Sequence, residues 1–494
     1  MTSPSAPQNK SGRTLLQRVF NSTLWQGGAM LFGNACSFLA KLILARLLVP
    51  EYFGLVGMAV VFTGIIQTIE SLGLGPALIH RRDEDLSETH LYTGYVGYIG
   101  LGFLFYFLVI IPGAPLVAWF YEEPQLTSIV LVLALPVLIE PFAFYQHVRL
   151  QRSLRFKELA RLQMSATFVG AVTAIALAFL GAGVWAIVAQ WVVSAILKVI
   201  LLRFFYKSPA EGEFSWSAFK KLLSYGIKVT GTRLFSMVGT QADYLIIGKI
   251  AGASQLGAYS LAFLITDSIR SKLMSVLNKV LFPAYSKLQD DLVQLNKYYV
   301  SSVRFSTLAV TPIVCAAIIY SEPIIIQGFG DDWKQAIEPL QLLAVAAMIH
   351  TVAGTNAQAL KAVGRPDLTF KIKAFTIGVV FVPALLIATP HYGIVGAGWA
   401  VVITKLTERI VFHYFLRQIL GTTEREMARA ILPSVVAGLV MATSLFLLQA
   451  QWSIESILQL IGFLLVGGMS YLVVAIPWVL DELLKLKNNT VIED

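Results

Sequence analysis

The chain has 494 residues, 56% of them hydrophobic and only 14% charged, with 38 Lys and Arg against 29 Asp and Glu for a net charge of +9. A soluble domain carries roughly 25% charged residues, so water is excluded as the solvent for most of this sequence. The positive excess is spread over short loops rather than one face, which excludes nucleic acid as a partner. Cys36 and Cys315 lie in apolar blocks without a CxxC partner, which excludes metal or disulfide frameworks.

A spanning helix needs about 20 apolar residues. Met1 to Gly12 is polar; the apolar block that follows continues to Leu48 and carries Lys41 and Arg46, so it reads as a retained helix and not as a cleaved signal peptide. Blocks of spanning length then predict helices near Leu24–Leu48, Tyr52–Ile79, Thr89–Ile111, Leu126–Tyr145, Met164–Leu180 and Trp185–Phe204. A second set lies near Leu222–Ile250, Leu256–Pro283, Tyr299–Tyr320, Ala336–Ala359, Phe370–Ala388 and Ile394–Phe415, and two more near Ala428–Leu448 and Ile454–Leu480. The expected fold is therefore an all-α integral membrane protein of about 14 transmembrane helices. Pro136, Pro312 and Pro383, inside spans, are expected to bend their helices.

Charge tests the count, because cytoplasmic loops collect Lys and Arg. With the N-terminus inside, the alternate connections hold 25 basic residues, among them Arg149, Arg152, Arg155, Lys157 and Arg161 in one loop, against Lys334 alone on the other side. Both termini are expected in the cytoplasm.

An internal repeat divides the chain. Arg46 and Gly54 match Lys249 and Gly257 at an offset of 203, and Phe156-Lys157 and Trp185-Ala186 match Phe370-Lys371 and Trp399-Ala400 at 214. The domains read as 1–206, an N-terminal lobe of helices 1–6; 207–418, a C-terminal lobe of helices 7–12; and 419–494, two additional helices with a cytoplasmic tail. Parallel repeats of this kind occur in transporters, with substrate held between the halves.

A charge at the centre of a spanning helix costs about 2.5–3.5 kcal/mol, so ionisable residues there need a reason. Lys41, Arg46, Arg233, Arg270 and Lys272 concentrate in the opening helices of each half and suit an anionic headgroup such as a pyrophosphate. Asp267 and Arg270, and Lys405 and Glu408, are three residues apart and can neutralise one another. Glu70, Asp243 and Asp267 are candidates for ion coupling or for counter-ions; Lys198, Lys228, Lys249 and Lys279, near helix ends, read as snorkelling cations. No GxxxxGK[ST], HExxH or CxxC occurs, and the outer connections are short, so the residues point to a transporter and not an enzyme, with no cofactor.

The segments Ala45-Arg46-Leu47-Leu48-Val49-Pro50-Glu51-Tyr52-Phe53-Gly54-Leu55, Gly73-Leu74-Gly75-Pro76-Ala77-Leu78-Ile79, Gly183-Val184-Trp185-Ala186 and Leu360-Lys361-Ala362-Val363-Gly364-Arg365-Pro366 resemble the Wzx-type polysaccharide transporters, especially the colanic-acid exporter subgroup, over nearly the whole chain. The resemblance implies the multidrug/oligosaccharidyl-lipid/polysaccharide exporter fold, two six-helix lobes in a V around a central cavity plus two C-terminal helices. It also implies a bacterial inner-membrane flippase that exports undecaprenyl-pyrophosphate-linked oligosaccharide units for exopolysaccharide, capsule or lipopolysaccharide synthesis by ion-coupled alternating access. Its expected partners are that lipid-linked glycan, the bilayer, and a glycan polymerase with chain-length and export machinery. The alternatives are a small-molecule or drug antiporter of the same superfamily, which would want acidic and aromatic walls, and a membrane glycan polymerase or ligase.

Overall fold

The computed structural model describes residues 33, 35–207 and 211–490; for a few residues within these helices, Lys272 among them, it describes the backbone alone. The polar N-terminal stretch and the opening of the first expected helix lie outside the described residues. Those described form helices and no strand.

In chain order these are α1 (35–47), α2 (Pro50–His80), α3 (Glu88–Tyr121), α4 (Leu126–Arg152), α5 (Phe156–Phe179), α6 (Val184–Phe205), α7 (Trp216–Lys287), α8 (Leu292–Ile319), α9 (Asp331–Ala362), α10 (Pro366–Leu420), α11 (Glu424–Gln451) and α12 (Ile457–Thr490). Ten segments among the described residues are long and apolar enough to cross a membrane, and in the one within α12 only 17% of the apolar window is buried inside the protein. Leu180, Trp119, Leu458 and Val473 point outward, each more than 70% exposed. Side chains of this kind, turned outward along whole helices, require hydrocarbon as the solvent. The protein is an all-α membrane protein.

The chain divides into two compact units, one formed by the residues up to Leu48 with Leu55–Gln241, the other by Val49–Gly54 with Ala242–Asp494. α7 contains the division and is itself broken at Gly252, φ 81° and ψ 177°; α10 is broken in the same way at Gly393, φ 56° and ψ −140°. Each joins two of the helices read from the sequence. The count of fourteen spans remains an expectation carried by the charge pattern and not by the ten segments. The short connections left after the expected helices ending at Ile111 and Tyr320 are largely helical, since α3 runs to Tyr121 and a short helix occupies Ser321–Phe329.

In unit 1 the core gathers Leu74, Leu78, Leu91, Phe144, Tyr145 and Phe219 from α2, α3, α4 and α7. In unit 2 it gathers Tyr285, Tyr299, Leu360, Phe412 and Met427 from α7 to α11.

The backbone of each unit carries the repeat. At the end of α4 the Arg155 N–H donates to the Leu150 carbonyl at 2.9 Å, with Leu154 left-handed at φ 55°; at the end of α9 the Arg365 N–H donates to the Leu360 carbonyl at 2.9 Å, with Gly364 at φ 77°. Gly183 before α6 (φ 55°, ψ −128°) matches Gly393. These pairs are offset by 210 residues, which corrects the 214 read from dipeptides. A four-residue slip is about one helical turn, so the mismatched pairs share a face and mimic a true register. The earlier offset of 203 holds in space: a methyl on Gly54 would lie 1.8 Å from the Ala253 carbonyl oxygen, and one on Gly257 1.8 Å from that of Pro50. The two contacts exchange under a shift of 203 residues, a reciprocal backbone crossing that only glycine permits.

Candidate functional site

Unit 1 holds a polar cavity of about 390 Å³ built by six helices. α1 supplies Lys41, α2 Thr63, Gln67 and Glu70, α3 Tyr98, α4 Glu140, α5 Gln163 and Thr167, and α6 Gln190 and Lys198. Local sequence aims the two acids. Glu70 ends the first part of α2, before a turn in which Gly73 takes φ 65° and the helix restarts. Glu140 stands where α4 breaks: helix ends at Ile139, Glu140–Ala143 forms a 3₁₀ turn carrying Pro141, and α-helix resumes at Phe144. Proline removes a donor from the ladder, and 3₁₀ geometry exposes the acid at the break. Pro136 lies at the start of the preceding short helix, so the bend expected there is present.

Glu70 is 2% exposed, lies beside Tyr98 and Glu140, and its Oε1 has no hydrogen-bond partner. The Lys198 ammonium donates to Glu140 Oε1 at 3.2 Å. Snorkelling thus does not describe Lys198, which turns inward to an acid 58 residues away in sequence. Glu140, Tyr98 and Lys198 are the site residues that sequence reasoning missed; the prolines flanking Glu140 were the available signal.

A second cavity of about 340 Å³ in the same unit shares Tyr98, Glu140 and Lys198 and adds His147, Gln151 and Arg233. Lys41, Glu70 and Arg233 therefore line two abutting cavities. Arg46 is exposed and lines neither.

The other candidates belong to unit 2. Arg270 is buried, and its guanidinium donates to Asp267 Oδ1 from Nη2 at 2.5 Å and from Nε at 3.0 Å, so this pair neutralises itself. Lys405 and Glu408 do the same at 3.0 Å. Asp243 is buried and accepts the Tyr259 hydroxyl at 3.1 Å and the Tyr244 N–H at 2.9 Å. The side chain of Lys272 lies outside the described residues. A cavity of about 800 Å³ in this unit is apolar, lined from α7, α8 and α12, and offers nothing to a charged group. Among the described residues no cluster of His, Cys, Asp and Glu could hold a metal.

The profile of the family described as polysaccharide biosynthesis protein matches residues 43–338, more than half of the chain. The chain belongs to this family. Its relatives include the lipopolysaccharide biosynthesis protein WzxC of Escherichia coli K12, 24% identical over 84% of each chain. The succinoglycan biosynthesis transport protein ExoT of Rhizobium meliloti is 26% identical over 73% of this chain and 72% of its own. Among solved structures, the lipid II flippase MurJ in an inward closed conformation superposes with a TM-score of 0.67 at 14% identity, covering 93% of this chain and 99% of that one. An inward-facing multidrug resistance transporter of the MATE family gives 0.59 at 17% identity, over 78% and 94%. The chain thus has the fold of these two structures.

Proposed function

We propose that the chain is a flippase that moves undecaprenyl-pyrophosphate-linked oligosaccharide outward across the bacterial inner membrane for surface polysaccharide synthesis, driven by an ion gradient through alternating access. The observation that supports it most is a lysine-bearing polar cavity inside a helical unit of this family and fold. Relatives named for polysaccharide transport and a structural neighbour named as a lipid II flippase point to the same class of substrate.

Lys41 is the leading headgroup contact and Arg233, on the adjoining cavity, the second. Arg270 would have to leave Asp267 to take part, and Arg46, exposed and outside both cavity linings, is given no headgroup contact. An ammonium acts on phosphate as a point charge and a guanidinium as a two-pronged donor. Lys41→Ala is expected to abolish glycan export with the protein at normal abundance, and Lys41→Arg to retain more activity, since sign and position matter more than shape there. Surface glycan and membrane protein level, measured together in cells lacking the native copy, test this. Full export by a Lys41→Ala, Arg233→Ala double variant overturns the assignment.

A further inference from the structure

The two cavities of unit 1 meet at a charged wall. Glu70 faces the first, His147 the second, and Tyr98, Glu140 and Lys198 line both. On each side of the wall one buried polar atom has no partner, Glu70 Oε1 and His147 Nδ1. Around the first cavity stand Lys41 from α1, Tyr98 from α3, Glu140 from α4 and Lys198 from α6, while α5 contributes only neutral Gln163 and Thr167. Arg233 of α7 stands in the second.

With both acids ionised, their charges cancel those of the two lysines. The cavity then has no surplus negative charge with which to strip water from a sodium ion. A proton, bonded directly to a carboxyl oxygen, needs no such surplus. Chains of Glu, His and hydroxyl groups within membrane helices are the usual form of a proton relay.

We propose that Glu70 carries the coupling proton of the transport cycle and exchanges it, by way of Tyr98 and the Glu140–Lys198 pair, with His147 and the second cavity. The proposal rests on the flippase reading above and names the site of its coupling. With a proton, Glu70 is neutral and the cavity carries the surplus positive charge of its lysines, which holds the headgroup phosphates. Once the proton has passed to water through the second cavity, the Glu70 carboxylate cancels that surplus and the headgroup is released. The proton is taken from water and returned to water, so only O–H and N–H bonds form and break along the way.

The test uses the purified full-length protein, in vesicles loaded with a fluorescently tagged undecaprenyl-pyrophosphate disaccharide. Infrared difference spectra between alkaline and acid buffer are expected to show a protonated-carboxyl band that Glu70→Gln removes and Glu70→Asp keeps with a shifted midpoint. In the flipping assay the ratio of rates with and without a pH gradient falls to one in Glu70→Gln, whatever its absolute rate. Glu455→Gln, in an exposed loop, keeps the wild-type ratio. His147→Gln keeps the band and lowers the ratio. A band that survives in Glu70→Gln, a wild-type protein without any such band, or flipping driven by a sodium gradient alone overturns the proposal. If the wild type shows the Glu70 band but moves no disaccharide under any gradient, the proton site stands and the flippase reading falls.

Discussion

A single methyl group is expected to matter most at the crossing of α2 and α7. On Gly54 or Gly257 it would meet a carbonyl oxygen at 1.8 Å, and backbone, unlike a side chain, cannot rotate aside. Gly54→Ala and Gly257→Ala should each lower stability by about 1–3 kcal/mol, the usual cost of overpacking. The double variant should lose less than the sum, because both contacts lie at one backbone crossing. Thermal unfolding in detergent measures this, and unchanged midpoints would refute it. At this scale the sequence shows charges but not their partners. Glu70 stands out because an acid in an apolar block is conspicuous, and the Asp267–Arg270 pair is legible because three residues on a helix share a face. Glu140 and Lys198 meet only through tertiary structure, so nothing local announces the pair. Arg46 reads as a cavity cation by the same local logic; it is exposed and lines neither cavity of unit 1.

Among elements, the helices are legible from length and hydropathy, while their internal breaks are not. The joins at Gly252 and Gly393 coincide with the expected helix boundaries, and the 3₁₀ turn at Glu140–Ala143 is signalled only by Pro136 and Pro141, while the π-helical turn at Tyr106–Ile110 has no local signal. The repeat shows why register is hard to read from apolar sequence: α-helical periodicity lets a slip of one turn pass for a match. One device in unit 1 has no counterpart at the equivalent position of unit 2. Arg152, at the end of α4, donates from Nη1 to the carbonyls of Leu78 at 2.5 Å and Arg81 at 2.9 Å, closing the open end of α2. Helix ends leave carbonyls unpaired, and a guanidinium satisfies more than one at once. Its counterpart at the offset of 210 is Ala362, which cannot. Arg152→Ala should cost about 1–3 kcal/mol, as expected for a charged hydrogen-bond donor, and speed amide exchange around residues 78–82 with little change near 363–366. Equal exchange in variant and wild type would dismiss the cap.

For the molecule as a whole, the fold class, the membrane and the family were legible, because composition, block length and a few motifs are distributed over the entire chain. The placement of charges within the units was not. The charge asymmetry predicts that the N-terminus, the C-terminus and the 149–161 loop all face the cytoplasm, and cysteine labelling from either side checks it. Labelling of a cysteine at position 485 from outside would remove the topology. The Gly54–Gly257 crossing also sets a clock on biogenesis. Its two strands of chain are 203 residues apart, and at about 5–20 residues per second the ribosome needs roughly 10–40 s to deliver the second after the first. Throughout that interval residues 50–54 lack the partners that complete their packing in unit 2. A nascent chain stalled before residue 253 therefore lacks the carbonyl that Gly54 meets in the finished fold, and the notch at Gly54 stays unfilled.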